Sequence, residues 1–176
     1  MRTRRIENEW LLLEELQQAN SSRLRIERGP DHFNVTAEGF PALLDQPANA
    51  TQLASSIQRT HNLRIVFPRY YPTMPAEVYL DTPVFHPNVH PDTGFICLWT
   101  KHRVVTTLEK TLAQLQRVLA WELLNPAEEH VMQPAALDWY RQPGVSESLP
   151  LDFASFVPVC SDAWALDAAP LRRRLS

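Results

Sequence analysis

The stretch FPRYYPTMPAEVYLDTPVFHPNVHPDTGFICL, residues 67–98, decides how this chain is read. Six of the fifteen prolines of the chain lie between Pro68 and Pro91. Proline fixes φ and carries no backbone N–H, so a cluster of this density predicts rigid, irregular backbone and no long helix. Cys97 stands at the end of that segment, close to Gly94, in a setting that exposes a thiol and holds it still. The next segment has the opposite character. From Thr106 to Leu123, Leu108, Leu112, Leu115 and Leu119 form an apolar stripe at helical spacing. Thr106 and Glu109 read as a capping box at the start of that helix, and Asn125-Pro126 stops it.

Upstream of the proline segment, Arg5 to Gln18 reads as an amphipathic helix with Ile6, Trp10, Leu13 and Leu16 on one side. Arg23–Arg28 and His32–Ala37 alternate around the turn Gly29-Pro30-Asp31 and predict an antiparallel hairpin. Phe40–Ser56 is irregular and reads as a long loop. Leu63–Phe67 and Glu77–Leu80 complete a four-stranded antiparallel meander. Ala135–Arg141 reads as a further helix, and periodicity fades from Gln142 onward. The order of helix, strands, irregular segment and helices is an α+β pattern. The expected organisation is a domain over residues 1–141 with a tail at 142–176. Phe153, Phe156, Val157 and Trp164 make that tail too apolar to ignore, so it either packs on the domain or docks a partner.

Composition removes several function classes. The net charge is −3, which argues against a nucleic-acid binder. The four glycines, Gly29, Gly39, Gly94 and Gly144, are too scattered for a phosphate loop. Cys97 and Cys160 are too few for a disulfide framework or a cysteine-rich zinc module. No apolar run reaches the roughly 18 residues of a spanning helix, and Glu7, Glu9, Glu14 and Glu15 interrupt the N-terminal apolar patch, so it does not read as a secretory signal. The expectation is a cytoplasmic protein with no membrane contact. Of 17 basic residues, 15 are Arg, a bias that suits a GC-rich, often bacterial, genome.

Four motifs occur in order: Tyr71-Pro72-Thr73-Met74-Pro75, Phe85-His86-Pro87-Asn88, Ile96-Cys97-Leu98, and the capped helix ending in Leu123-Leu124-Asn125-Pro126. Together they resemble the ubiquitin-conjugating enzyme family. The resemblance implies that fold and a carrier role for Cys97. The cysteine would take a ubiquitin-like protein from an activating enzyme as a thioester and pass it to a lysine of a target protein, in some cases with a ligase. No metal or organic cofactor is implied at Cys97, because ATP is consumed upstream. The resemblance further makes His86 a loop-holding residue. It assigns the acceptor-side acid or base to Glu129 or His130, and a partner surface to Arg2, Arg4, Arg5 and Met74. His90 falls near the same groove. Departures from the family pattern are Ala76 in place of a proline, Trp99 directly after Leu98 with no later W-x-P, a longer Asn88–Cys97 spacing, and the tail. They mark a divergent member, and with the arginine bias they resemble bacterial conjugation systems of antiphage defence.

The chemistry of the residues supports such a role. A cysteine thiolate is both a good nucleophile and a good leaving group, which a transient acyl carrier requires. A carboxamide such as that of Asn88 offers two uncharged N–H donors to a tetrahedral oxyanion. Asparagine also commonly bonds loop backbone, and the sequence leaves both roles open. Three alternatives carry different chemistry: a zinc site from His86, His90, Cys97 and His102, a Cys–His hydrolase around Cys97, and a catalytically inactive adapter of the same fold.

Overall fold

The computed structural model describes residues 2–48, 50–98, 103–125, 127 and 130–159. Trp99, His102, Pro126, Glu129, Cys160 and Trp164, all singled out above, lie outside them. The elements are α1 (Arg2–Ala19), β1 (Leu24–Arg28), β2 (His32–Leu43), a single turn α2 (Ala50–Leu53), β3 (Ile57–Val66), β4 (Glu77–Leu80), α3 (Leu108–Leu119) and α4 (Pro134–Tyr140). The four strands form one antiparallel meander in the order β1-β2-β3-β4. The pairings Leu24↔Ala37, Phe33↔Ile65 and Leu63↔Leu80 set their register. This register puts Leu24, Ile26, Phe33, Val35, Ala37, Leu63, Ile65, Val78 and Leu80 into one core. The apolar stripe of α3 joins the same core, with Leu112, Leu115 and Leu119 fully buried. The expected α+β architecture therefore holds. No helix of the described residues is long and apolar enough to cross a membrane.

The helix read as running to Asn125-Pro126 ends at Leu119, β3 begins at Ile57 and not at Leu63, and three further local readings change. The expected loop at Phe40–Ser56 begins as strand, because β2 continues to Leu43 through a bulge between Glu38 and Ala42. Gly39 makes the bulge possible with φ of 98°, a conformation that side chains with a Cβ resist. Beyond the bulge Phe40, Pro41, Ala42 and Leu43 are all buried, so the alternation that marks a half-exposed strand is missing. The N-cap of α3 is Thr107, not Thr106, and its hydroxyl accepts from the Lys110 N–H at 3.3 Å. The Glu109 carboxylate does not return to the cap; it accepts from the backbone N–H of Val159 at 2.6 Å.

That last contact belongs to an extended strap, residues 151–159, which runs along α3 from its end to its first turn. Leu151 N–H donates to the Ala120 carbonyl at 2.8 Å. Arg59 holds the Asp152 carbonyl, and Arg23 and Gln116 hold that of Ala154. Asn20 clasps Val157 in both directions, donating to its carbonyl at 3.0 Å and accepting from its N–H at 2.8 Å. Phe156 is 9% exposed and meets Phe40 edge-on at 5.5 Å. Side chains from other elements, and no strand ladder, satisfy this backbone.

Candidate active site

Cys97 is partly exposed at the end of an irregular segment tied to β4. Gly94 O accepts from Leu80 N–H, Val78 O accepts from Ile96 N–H, and Val89 bridges Ile96. Gly94 turns the chain with φ of 68°, and a methyl group there would strike the Leu80 carbonyl oxygen. Glycine is therefore required at this position by conformation and by space.

Asn88 grips the cysteine from both sides. Its carbonyl accepts from Cys97 N–H at 2.9 Å, and its Nδ2 donates to the Cys97 carbonyl at 2.8 Å. Its Oδ1 accepts from Asn125 N–H at 3.0 Å, which joins the cysteine segment to the loop after α3. The side chain is almost fully buried. Of the two roles left open by the sequence, the backbone-holding one is present, and the carboxamide lies against the cysteine.

His86 is wholly buried, and Asn88 N–H donates to its Nδ1 at 3.0 Å. The proton therefore belongs on Nε2, which faces the Val118 carbonyl outside ideal hydrogen-bond geometry. Burial pushes its pKa down to about 3, so the ring is neutral and fixed. Trp121 packs on it at 4.5 Å between ring centroids. Trp121 itself adopts φ of 64° just past the end of α3, where glycine is usual. Stacking on Tyr140 and edge contact with Trp139 hold the indole in this conformation.

The remaining expected residues divide into two groups. His90 is turned into its own loop, its Nδ1 accepting from the N–H groups of Asp92 and Thr93. None of the described histidines bonds the Cys97 thiol, and both ring nitrogens of His86 are faced by backbone. No cluster of three or more metal-ligating side chains exists among the described residues, and His102 of the zinc set lies outside them. His130 is exposed in the loop after α3, its N–H donating to Ala127 O. Arg4 and Met74 are exposed, as a contact surface requires. Arg2 binds the carbonyls of Phe67 and Pro68. Arg5 is half-buried, paired with Glu9 at 2.7 Å and donating to Thr106 O.

Residues to which the sequence reading gave no role at the site complete the frame. Glu9 is buried within the apolar side of α1. It accepts from Leu108 N–H at the start of α3 at 2.7 Å and from the Tyr71 hydroxyl at 3.1 Å. Desolvation raises its pKa despite these donors and Arg5. A carboxylate amid an apolar stripe was the available signal for a tie of this kind. Asn125 was visible only as a helix stop. Gln133 gave no signal at all. Its Nε2 donates to Val84 O at 2.7 Å and Val89 O at 2.9 Å, on either side of the His86–Asn88 turn.

The comparisons agree with this fold. A sequence model of the ubiquitin-conjugating enzyme family matches residues 57–145, from β3 to just before the strap. A Trypanosoma cruzi structure named as a ubiquitin conjugating enzyme superposes with a TM-score of 0.57 at 19% identity, covering 81% of this chain and 91% of that one. A Plasmodium yoelii structure named likewise gives 0.54 at 15% identity, covering 84% and 96%. At such identities these likenesses speak for the fold. No curated protein matches the chain. The family match extends over half the sequence and contains the Asn88–Cys97 grip, and this chain belongs to the ubiquitin-conjugating enzyme family.

Proposed function

We propose that the protein carries a ubiquitin-like modifier as a thioester on Cys97 and transfers it to a lysine amine of a target. The observation that supports this reading best is the two-sided hold of Asn88 on a partly exposed Cys97. In the first step the Cys97 thiolate attacks the modifier's thioester on an activating enzyme. The new C–S bond forms as the enzyme's own thiolate leaves. In the second step a neutral lysine amine attacks the Cys97 thioester. The carbonyl oxygen becomes an oxyanion beside Asn88, whose carboxamide carries one N–H more than the Cys97 carbonyl uses. Collapse forms the amide and returns the Cys97 thiolate. The proton of the attacking amine goes to His130, to Glu129 or to water. The Asn88 carboxamide supplies donors without charge, so it stabilises the oxyanion without repelling the incoming ammonium before it loses its proton.

Arg4 and Met74, with Arg2 beside them in the α1 and proline-segment surface, form the docking face for the activating enzyme, and a basic face suits an acidic partner. Arg5 contributes there mainly by holding α1 to Glu9. Residues 1–141 act as the catalytic unit in this reading, with 142–176 as its appendage. The arginine-rich composition and the departures from the family pattern favour a bacterial conjugation system, in the setting of antiphage defence, that has its own modifier and activating enzyme. The protein would then act in the cytoplasm, where thiols stay reduced.

The test is a charging reaction with ATP, an activating enzyme and its ubiquitin-like protein, resolved on gels with and without thiol. A thiol-sensitive adduct that persists in Cys160→Ala and disappears in Cys97→Ala is the expected result. Folded protein that takes no adduct from active cognate partners overturns the carrier role and leaves an adapter.

A further inference from the structure

The loop after α3 is pinned at both feet to one turn. At its start, Asn125 N–H donates to Asn88 Oδ1 at 3.0 Å. At its end, Met132 N–H donates to Pro87 O at 2.8 Å, and Gln133 Nε2 bridges Val84 O and Val89 O. Gln133 occupies the N-cap position of α4, yet its side chain makes no cap bond. Its carboxamide reaches away from its own helix and closes the turn that presents Asn88. Val84 and Val89 are buried, so their carbonyls have little water to turn to if that donor is lost. Pro87 within the turn has no N–H to offer in its place.

From this geometry we infer that Gln133 is a positioning residue for aminolysis, fixing the Asn88 turn relative to the loop that bears His130. The inference rests on the thioester reading above. Thioester formation needs only the thiol and its local path. Transfer to an amine needs the cysteine side and the acceptor side in register, and these are the two sides that the staple joins. Misplacement of about 1 Å costs up to about a hundredfold in such steps.

The test uses the full chain in a Cys160→Ala background. It is loaded with the 2-mercaptoethanesulfonate thioester of N-acetylglycylglycine. The Cys97 thiolate attacks the acyl carbon and expels the mercaptoethanesulfonate thiolate, so no protein partner is needed. The adduct is followed by intact mass, and free lysine is then titrated in. In Gln133→Met, which keeps length and loses the donor, loading stays within about twofold. The saturating discharge rate falls at least tenfold, and the half-saturating lysine concentration is unchanged. Gln133→Asn, one methylene shorter, folds if the first variant does not, and gives an intermediate loss. Wild-type discharge in the folded variants overturns the inference. So does a proportional fall of loading, discharge and melting temperature, which is the mark of a merely structural residue. Failure of the parent protein to take the acyl group at Cys97 overturns the carrier reading, and the inference with it.

Discussion

Replacing Asn88 by alanine tests whether one carboxamide both builds and operates the site. The change removes two hydrogen bonds, to the Cys97 carbonyl at 2.8 Å and from the Asn125 N–H at 3.0 Å. An orphaned buried polar group costs about 1–3 kcal/mol. Cys97 and Asn125 are only half-buried, so water recovers part of that cost, and the low end for each gives a total of about 2 kcal/mol. For a chain of this length that is a fall of about 4–8 °C in melting temperature. Loss of an oxyanion donor adds about 2.7–4 kcal/mol to the barrier, which is about a hundredfold to a thousandfold in rate. Asn88→Asp separates the two effects. It keeps the acceptor for Asn125 and sets a carboxylate oxygen against the Cys97 carbonyl, so it recovers part of the stability and none of the rate. The assays are thermal unfolding and single-turnover discharge of the Cys97 thioester to free lysine. An unchanged melting temperature in Asn88→Ala refutes the structural hold. A discharge rate within about tenfold of wild type, in protein that has lost the expected stability, refutes the oxyanion role and leaves the hold intact.

His86 should make the fold acid-sensitive. Its folded pKa is about 3 against an ordinary 6.5, so the unfolded chain takes up the proton first as pH falls. The stability is therefore present above pH 6.5 and is lost below it, by about 2 kcal/mol between pH 7 and pH 5. His86→Gln keeps an acceptor for Asn88 N–H without titrating, and subtracting its unfolding free energy isolates the effect; a flat difference across that range is the contrary result. Phe156→Ala should cost about 3 kcal/mol, the low end for a buried phenyl because the strap, held by side chains and by no strand ladder, can settle into the space left. Calorimetry should then show melting about 6–12 °C lower, and an unchanged melt means the strap adds nothing to the core. Gly94→Ala should cost at least about 2 kcal/mol, since alanine must adopt positive φ against the Leu80 carbonyl. Chemical denaturation that shows no shift in midpoint argues against this close approach.

Local order was legible in the sequence wherever it is maintained locally. The stripe from Leu108 to Leu119 and the alternation of Leu24–Ile26 and Phe33–Ala37 each repeat over their own element, and each element is found there. Reading failed where a distant residue decides the outcome. Glu109 was assigned to its own helix cap, and the N–H of Val159, fifty positions away, claims it instead. The second half of β2 was lost because Gly39 and Pro41 break the alternation, while the bulge lets that segment pair and stay buried. The strap has no period to read, since its conformation is set by Asn20, Arg23, Arg59 and Gln116. Within the site, Cys97, Asn88 and His86 were visible through motif spacing. Gln133 was not, because a glutamine before a helix-starting proline carries no signature of its own.

These long-range ties share one chemistry, and the prolines explain it. A segment that cannot form helix or ladder leaves its carbonyls without partners. Here four carboxamides answer that need: Asn20 at Val157, Gln116 at Gly39 and Ala154, Asn88 at Cys97, and Gln133 at Val84 and Val89. A carboxamide donates and accepts at once and does not titrate, so it fixes backbone without adding charge beside a reacting carbonyl. The frame around Cys97 therefore keeps its shape across the pH range in which an amine becomes nucleophilic. On the proposed carrier reading, the pH dependence of transfer then follows the attacking amine and not the carboxamide frame, and acid acts on the frame itself through His86.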